Sequence, residues 1–221
     1  MAKKVFIGVG HGGSDPGAVS GSVKEKELNL DIAWAVFTEL ERHGVYAKMS
    51  RVGDEEDTLN EEIKECNAYN PDLAIDIHNN AGGGDGAEAF YHYGGGLSKT
   101  LAENVLAEIV AIGQNSRGAK IKKNDSGRDW YGFIRETVAP AVIVECAFVD
   151  NAKDIQIVDT KAEREKMGIA IAKGILKTLG IAYVTAIPVK KTYTVQVGSF
   201  DDKAEAEKLA SVFAKAKVVE V

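Results

Sequence analysis

The sequence predicts an α/β protein, because short β-branched stretches alternate with helical stripes along most of its length. Strands are expected near residues 4–9, 46–51, 73–78, 88–93 and 141–147. The chain has 221 residues and a mass of 23.7 kDa, which suits one α/β domain with a small appendage. A chain of this size leaves room for one functional site in the main domain.

Four helices are predicted from apolar spacing and from end signals, three between the strands and one after the last strand. They are expected over roughly 26–42, from Thr58 to Asn70, from Ser98 to Gly113 and from Thr160 to Gly180. Two of them open with a capping box, in which Thr58 pairs with Glu61 and Thr160 with Glu163. The main domain is therefore expected over residues 1–180.

A second, smaller unit is predicted at the carboxyl end. Residues 181–191 show no helical stripe and contain Pro188, so they are expected to be a linker. Residues 192–221 have the pattern of one βαβ unit. Such a unit cannot bury both faces of a two-stranded sheet, so we expect it to pack on the main domain or on a second copy of itself.

Charge and hydropathy exclude some classes of partner. The formal net charge is -6, which argues against binding to nucleic acid or to anionic lipid by bulk charge. The longest apolar runs are well short of the ~18 residues of a membrane span, so no membrane partner is expected. The apolar stretch at the amino end is too short for a secretory signal, which predicts synthesis in the cytoplasm without export by a signal peptide.

A glycine-rich segment, residues 8–13, follows the first predicted strand and formally fits G-x-G-x-x-G. A dinucleotide site would need a helix on the last glycine and an acid at the end of the second strand. Instead, residues 14–17 continue as a loop and the second strand ends in Arg51. We therefore expect the glycines to serve a crowded strand end from which His11 projects into a cleft.

A second histidine, His78, lies at the carboxyl end of the third predicted strand, where open α/β sheets place their ligands. With His11 at the same edge, a metal site is favoured over two structural histidines. A carboxylate at the start of the first helix could complete a ligand set for catalytic zinc. Both Glu25 and Glu27 qualify, and spacing does not choose between them.

Glu145 interrupts an almost wholly apolar run, residues 140–148. Burial of this carboxylate without a partner would cost several kcal/mol or raise its pKa. A structural ion pair is one explanation. We favour a general base on the cleft side, with Cys146 facing the opposite side because strand side chains alternate.

The remaining histidines and the cysteines are assigned structural roles. His43 has the position of a cation at a helix end, and His92 lies between two tyrosines with no second ligand nearby in the pattern. Cys66 and Cys146 do not form a Cys-x-x-Cys pair and are expected to be buried thiols.

Taken in order, four segments closely resemble the zinc-dependent N-acetylmuramoyl-L-alanine amidases of the amidase-3 type, found in bacterial autolysins and phage endolysins. They are residues 10–18, Glu25-Lys26 placed before Asn29-Leu30, residues 78–81 and residues 141–145, within a match over roughly 4–180. The resemblance implies a zinc-exopeptidase-like fold, with a mixed, largely parallel sheet flanked by helices. The helix before His78 departs from the family, since residues 65–70 lack its arginine and alanine-asparagine pattern.

The resemblance also implies the roles of the site residues. Carried over by position, His11, Glu25 and His78 are the Zn²⁺ ligands, Glu145 is the catalytic glutamate, and Glu27 is a helix-surface residue. The implied reaction is hydrolysis of the amide between N-acetylmuramic acid and L-alanine of the peptidoglycan stem peptide. The alternatives are a zinc peptidase that cuts within the stem peptide and a non-catalytic wall-binding protein.

Residues 193–221 resemble the first half of a SPOR domain, a peptidoglycan-binding module. Only one βαβ repeat is present where that family has two. Either the segment is truncated or two copies pair through it, and the second alternative predicts a homodimer. The missing export signal and modest size fit either a phage-type endolysin or a host lysin, which would act on the cell wall after release when the cell opens.

Overall fold

The computed structural model describes residues 2–185, in which a sheet is covered by helices on both faces. The strands are β1 (Lys4–Val9), β2 (Val19–Ser20), β3 (Val23–Lys24), β4 (Tyr46–Met49), β5 (Leu73–Asn80), β6 (Ala87–Tyr91), β7 (Ser116–Lys120) and β8 (Ala141–Phe148). The helices are α1 (Glu25–Arg42), α2 (Leu59–Tyr69), α3 (Leu97–Ala111), α4 (Gly132–Glu136) and α5 (Lys161–Thr178), with a short 3-10 helix at Asp154–Ile157. The α/β class is confirmed.

Six strands form the main sheet in the order β4-β1-β5-β8-β6-β7. Only the β6–β8 pair is antiparallel, so the sheet is mixed and largely parallel, as the resemblance implies. The carboxyl ends of β1, β5 and β8 meet at one edge, and β6 begins there. Strands β2 and β3 form a separate short hairpin before α1.

The larger core lies between the sheet and helices α1, α3 and α5. Two glycines of α5 allow this close packing. A side chain at Gly168 would lie 2.6 Å from the Ile32 carbonyl oxygen in α1, and one at Gly174 would lie 2.5 Å from the Cα of Val105 in α3. The three helices therefore form a closely packed layer on one face of the sheet.

A smaller core lies on the opposite face, under α2 and α4. It contains Phe6, Cys66, Ala74, Phe90, Phe133, Ile134, Ala141 and Ile143. Toward the carboxyl edge this face becomes polar: Ala74 is followed on the same side of β5 by Asp76 and His78, and Ile143 on β8 by Glu145. The alternation that builds the core thus also places polar side chains at one edge.

Most predicted helix ends agree with the structure. Thr58 and Thr160 make the expected capping boxes, and α2 ends at Asn70 in the left-handed conformation. Helix α3 differs slightly, because its N-cap is Gly96, while the Ser98 hydroxyl donates to the Gly95 carbonyl. The short elements β2, β3, β7, α4 and the 3-10 helix were not predicted.

The first compact unit spans Met1–Val184 and the second Thr185–Val221. The first unit includes the start of the predicted linker, because Tyr183 stacks on His43 and the Val184 amide donates to His43 Nε2 at 3.0 Å. The rest of that linker and the predicted βαβ unit at 192–221 lie outside the described residues. Within residues 2–185, no helix has both the length and the apolar character that crossing a membrane requires.

Candidate metal centre

The structure brings His11, Glu25 and His78 together. One potential ligand atom from each lies within 4.8 Å of the others. His11 Nε2 is 3.2 Å from Glu25 Oε2, and His78 Nδ1 is 3.1 Å from Glu25 Oε1. Two imidazole nitrogens and one carboxylate are the donors of a catalytic zinc site with an open position, so the residues present fit that metal.

Glu25 is held firmly at the start of α1, where it is 3% exposed. Its carboxylate accepts hydrogen bonds from the backbone N–H groups of Ala18, at 2.8 Å, and Asn79, at 2.9 Å. Burial disfavours the charged form, yet hydrogen bonds with His11 and His78 outweigh it and hold the pKa of Glu25 far below its usual value. Glu27 lies outside this cluster, on the surface beside Lys24.

His11 has a φ of 65°, an unusual value for a residue with a side chain. Its Nδ1 lies 2.7 Å from Asp15 Oδ2, and the other oxygen of Asp15 accepts from the Gly17 amide at 3.0 Å. The ring is therefore fixed through Nδ1, and its Nε2 faces Glu25. A carboxylate behind a histidine in this way is typical of metal ligands.

Glu145 lies beside this cluster, since β5 and β8 pair His78 with Glu145 in register. Its Oε2 is buried and has no hydrogen-bond partner among the described residues. Burial raises the pKa of Glu145 to about 7. Cys146 faces the opposite core, as strand alternation predicts. The unpartnered carboxylate is thus available to exchange a proton near neutral pH.

Four further residues around Glu145 were not predicted from the sequence. Antiparallel pairing places Glu88 of β6 opposite Glu145, and Glu88 accepts from Arg117 Nε at 2.9 Å and from Lys120 Nζ. Like Glu145, Glu88 interrupts an apolar strand, which is a signal that sequence can offer. Its partners Arg117 and Lys120 lie on β7, a polar strand in which no residue stands out from its neighbours. Tyr131 is also close, and burial, with added repulsion from Glu145 and Glu88, raises its pKa to about 12.

The side chains with predicted structural roles lie outside this cluster. His43 Nδ1 lies 2.8 Å from the Glu39 carbonyl at the end of α1, and His92 Nε2 lies 3.3 Å from Asp129. Both cysteines are free and buried, and burial raises the pKa of the Cys66 thiol to about 12. Neither thiol is suited to act as a nucleophile.

A family profile described as N-acetylmuramoyl-L-alanine amidase matches residues 5–177. The chain belongs to this amidase family. A second profile, the SPOR domain, matches residues 172–219 and so begins within α5. The family resemblance drawn from the four sequence segments is confirmed.

Among its relatives, the amidase is 32% identical to the sporulation-specific N-acetylmuramoyl-L-alanine amidase of Bacillus subtilis, over 94% of this chain and 79% of the relative. Cwp6 from Clostridium difficile is structurally similar, with a TM-score of 0.80 and 36% identity over 81% of this chain, which spans only 30% of Cwp6. The catalytic domain of the amidase CwlV from Bacillus (Paenibacillus) polymyxa is also similar, with a TM-score of 0.74 and 28% sequence identity. The match covers 81% of this chain and 99% of the CwlV domain.

Proposed function

We propose that this amidase is zinc-dependent, with His11, Glu25 and His78 as metal ligands and Glu145 as general base. Its substrate is peptidoglycan, cleaved at the amide between N-acetylmuramic acid and L-alanine. The proposal depends most on one observation, the buried, unpartnered Oε2 of Glu145 beside the His-Glu-His cluster. When bound, zinc would polarise the scissile carbonyl and make a water molecule nucleophilic near neutral pH.

Glu145 moves the proton in this mechanism. Its carboxylate accepts a proton from the attacking water as the new C–O bond forms, and then delivers it to the nitrogen of L-alanine as the C–N bond breaks. A pKa of about 7 suits both steps, because the group can accept and release a proton at neutral pH. No thiol or hydroxyl nucleophile of the protein is required.

The three proposed ligands support this chemistry by staying in place. Glu25 is fixed by backbone amides, and both histidine rings are held from behind by carboxylates, His11 by Asp15 and His78 by Asp76. Fixed ligands keep the metal and the general base in one geometry, which lowers the reorganisation needed during the reaction.

Product analysis tests the proposed reaction. Purified cell walls are incubated with the full-length chain, with a chelator, and with the chelator followed by zinc. We expect new free α-amines on L-alanine, intact glycan strands, loss of cleavage with chelator and recovery with zinc. New amino termini inside the stem peptide would indicate a peptidase, and wall binding without cleavage in added zinc would indicate a non-catalytic protein.

We also propose that two copies associate through residues 192–221, because the sequence there has the pattern expected of one βαβ repeat of a SPOR-type module. Light scattering on the full-length chain over a range of concentrations measures the mass in solution. A monomeric mass at the highest concentration contradicts the proposed homodimer.

A further inference from the structure

Two buried carboxyl side chains lie behind His78, on the side away from Glu25. Asp76 precedes His78 by two residues on the same side of β5 and is 3% exposed. Glu62 belongs to α2 and is 6% exposed. Buried acids are rare without partners or a function, so this pair needs an explanation.

Asp76 contacts the imidazole directly. Its Oδ2 lies 3.1 Å from His78 Nε2, while the other ring nitrogen, Nδ1, lies 3.1 Å from Glu25 Oε1. Both ring nitrogens therefore face a carboxylate oxygen, which can only accept, so each can donate a hydrogen in the metal-free protein. A metal bound at the proposed cluster, which Nδ1 faces, would replace the hydrogen on Nδ1, and Asp76 would keep the other on Nε2.

Glu62 lies near the other oxygen of Asp76. Glu62 Oε1 and Asp76 Oδ1 are both buried, and neither has a hydrogen-bond partner within the described part of the chain. A Cβ added at Gly8 would overlap Glu62 Oε1 and lie 2.8 Å from Asp76 Oδ1, so both oxygens face the same small space. A proton on one of the two acids supplies the missing donor there.

Glu62 is the better placed of the two acids to hold this proton. Asp76 Oδ2 already lies 3.1 Å from a ring nitrogen of His78, whereas Glu62 Oε1 has no partner among the described residues. Burial, and then the negative charge of Asp76, also raise the pKa of Glu62 well above its usual value. The two acids thus differ in role because only one of them faces an N–H group.

We propose that Glu62, as a neutral acid, and Asp76, as a carboxylate, form a pair that positions His78 and keeps Nδ1 as its metal-binding atom. Both are positioning residues, since each acts through His78. Gly8 is part of the arrangement because it leaves room for the two carboxyl groups. The inference rests on the proposed metal site but not on which amide the protein cleaves.

Nitrogen-15 NMR of histidine-labelled, full-length protein tests the pair. In protein loaded with cadmium-113 we expect metal coupling to Nδ1 and a hydrogen on Nε2. A hydrogen on Nδ1 of the loaded protein, or coupling to Nε2, would overturn the proposal. If no metal binds, the proposed zinc site fails, while the presence or absence of a hydrogen bond from Nε2 to Asp76 still decides whether Asp76 positions the ring.

Variants separate the two acids. We expect Asp76→Ala to mix the His78 tautomers and weaken zinc binding by about 10- to 100-fold, the usual effect of losing a group that orients a ligand. Glu62→Gln, which keeps a neutral donor, should stay within about threefold of wild type, whereas Glu62→Ala should weaken binding about tenfold. Glu65→Ala, on the exposed part of α2, is the control.

Two results contradict the variant predictions. Equal losses in Glu62→Gln and Glu62→Ala would show that the charged form of Glu62 is needed. An unchanged His78 tautomer in Asp76→Ala, with zinc affinity within twofold of wild type, would remove Asp76 from this role. If Asp76→Ala does not fold, the wild-type tautomer measurement still decides the question.

Discussion

Gly10 leaves the space that the imidazole ring of His78 occupies. A Cβ added at Gly10 would overlap the ring atoms of His78. The Gly10 amide donates to the Ile77 carbonyl at 3.1 Å, which holds the end of β1 against β5, and its carbonyl accepts from Asn29 Nδ2 at 3.0 Å. The backbone of Gly10 is therefore held in place, and a side chain at this position would displace the His78 ring. This explains why a glycine stands here in the glycine-rich segment.

Gly10→Ala is expected to displace His78 and weaken zinc binding by at least tenfold, with a loss of stability of about 1–3 kcal/mol from overpacking. Isothermal titration with zinc and urea unfolding measure the two effects. Gly94→Ala is the matched control, because an added Cβ there would meet only the half-exposed His92 side chain, at 3.0 Å. Equal zinc affinity in the Gly10→Ala and wild-type proteins would contradict the steric role given to Gly10.

Glu145→Gln is expected to keep zinc but to lose activity by about 100-fold or more, since an amide cannot accept the proton of the attacking water. Amine release from purified cell walls measures the activity, and titration measures the bound metal. Glu27→Gln changes the charge equally on the exposed side of α1 and should retain activity. Substantial turnover in Glu145→Gln would assign the base to another group.

The ionised form of Glu145 should also destabilise the metal-free fold. Burial raises its pKa from 4.5 to about 7, so the folded chain binds this proton more tightly than the unfolded chain. The cost is therefore absent below about pH 4.5, grows between the two pKa values and is complete above about pH 7. In metal-free protein, Glu145→Gln should raise the free energy of unfolding by about 1–3 kcal/mol at high pH and leave it unchanged at low pH.

Urea unfolding in the presence of a chelator, repeated across this pH range, measures that difference. The same series on Glu27→Gln controls for the change in net charge. A stabilisation by Glu145→Gln that is equal at every pH would show that the effect does not come from ionisation of Glu145.

The sequence carries enough information for the fold and for the four proposed site residues. His11 interrupts a run of glycines after β1, and Glu145 interrupts an apolar strand, so each stands out locally. Strand order along the chain then places both near His78 at one edge of the sheet. The choice of Glu25 over Glu27 depends on family resemblance, because helix spacing treats the two acids alike.

The outer layer of the site is not predictable in the same way. Glu62 lies in a helix with several acids, and only the packing of α2 against the sheet, where it contacts β1, buries it. Strand β7 is polar and lies at the edge of the sheet, so it lacks the alternation that marks a buried strand. Helix α4 has five residues, too few for an apolar period to be visible.

Glu88 is expected to shift the pH dependence of the reaction by raising the pKa of Glu145. The two acids lie opposite each other on β6 and β8, and the charge of Glu88 adds to burial in raising the pKa of Glu145. Glu88→Gln removes that repulsion and leaves Arg117 and Lys120 without their shared carboxylate. Both changes favour ionised Glu145, so its pKa should fall.

The fall of kcat/KM on the acidic side of its pH profile (the acidic limb) should therefore move to lower pH in Glu88→Gln. We expect a shift of about half a pH unit, because one nearby negative charge raises the pKa of Glu145 less than burial does. Rates of amine release from soluble cell-wall fragments across the pH range measure the limb. Glu103→Gln, on the exposed face of α3, makes the same change in net charge and should leave the limb in place. A limb that stays fixed in Glu88→Gln, or moves to higher pH, would show that Glu145 does not titrate in the rate-limiting step or that Glu88 does not act on it.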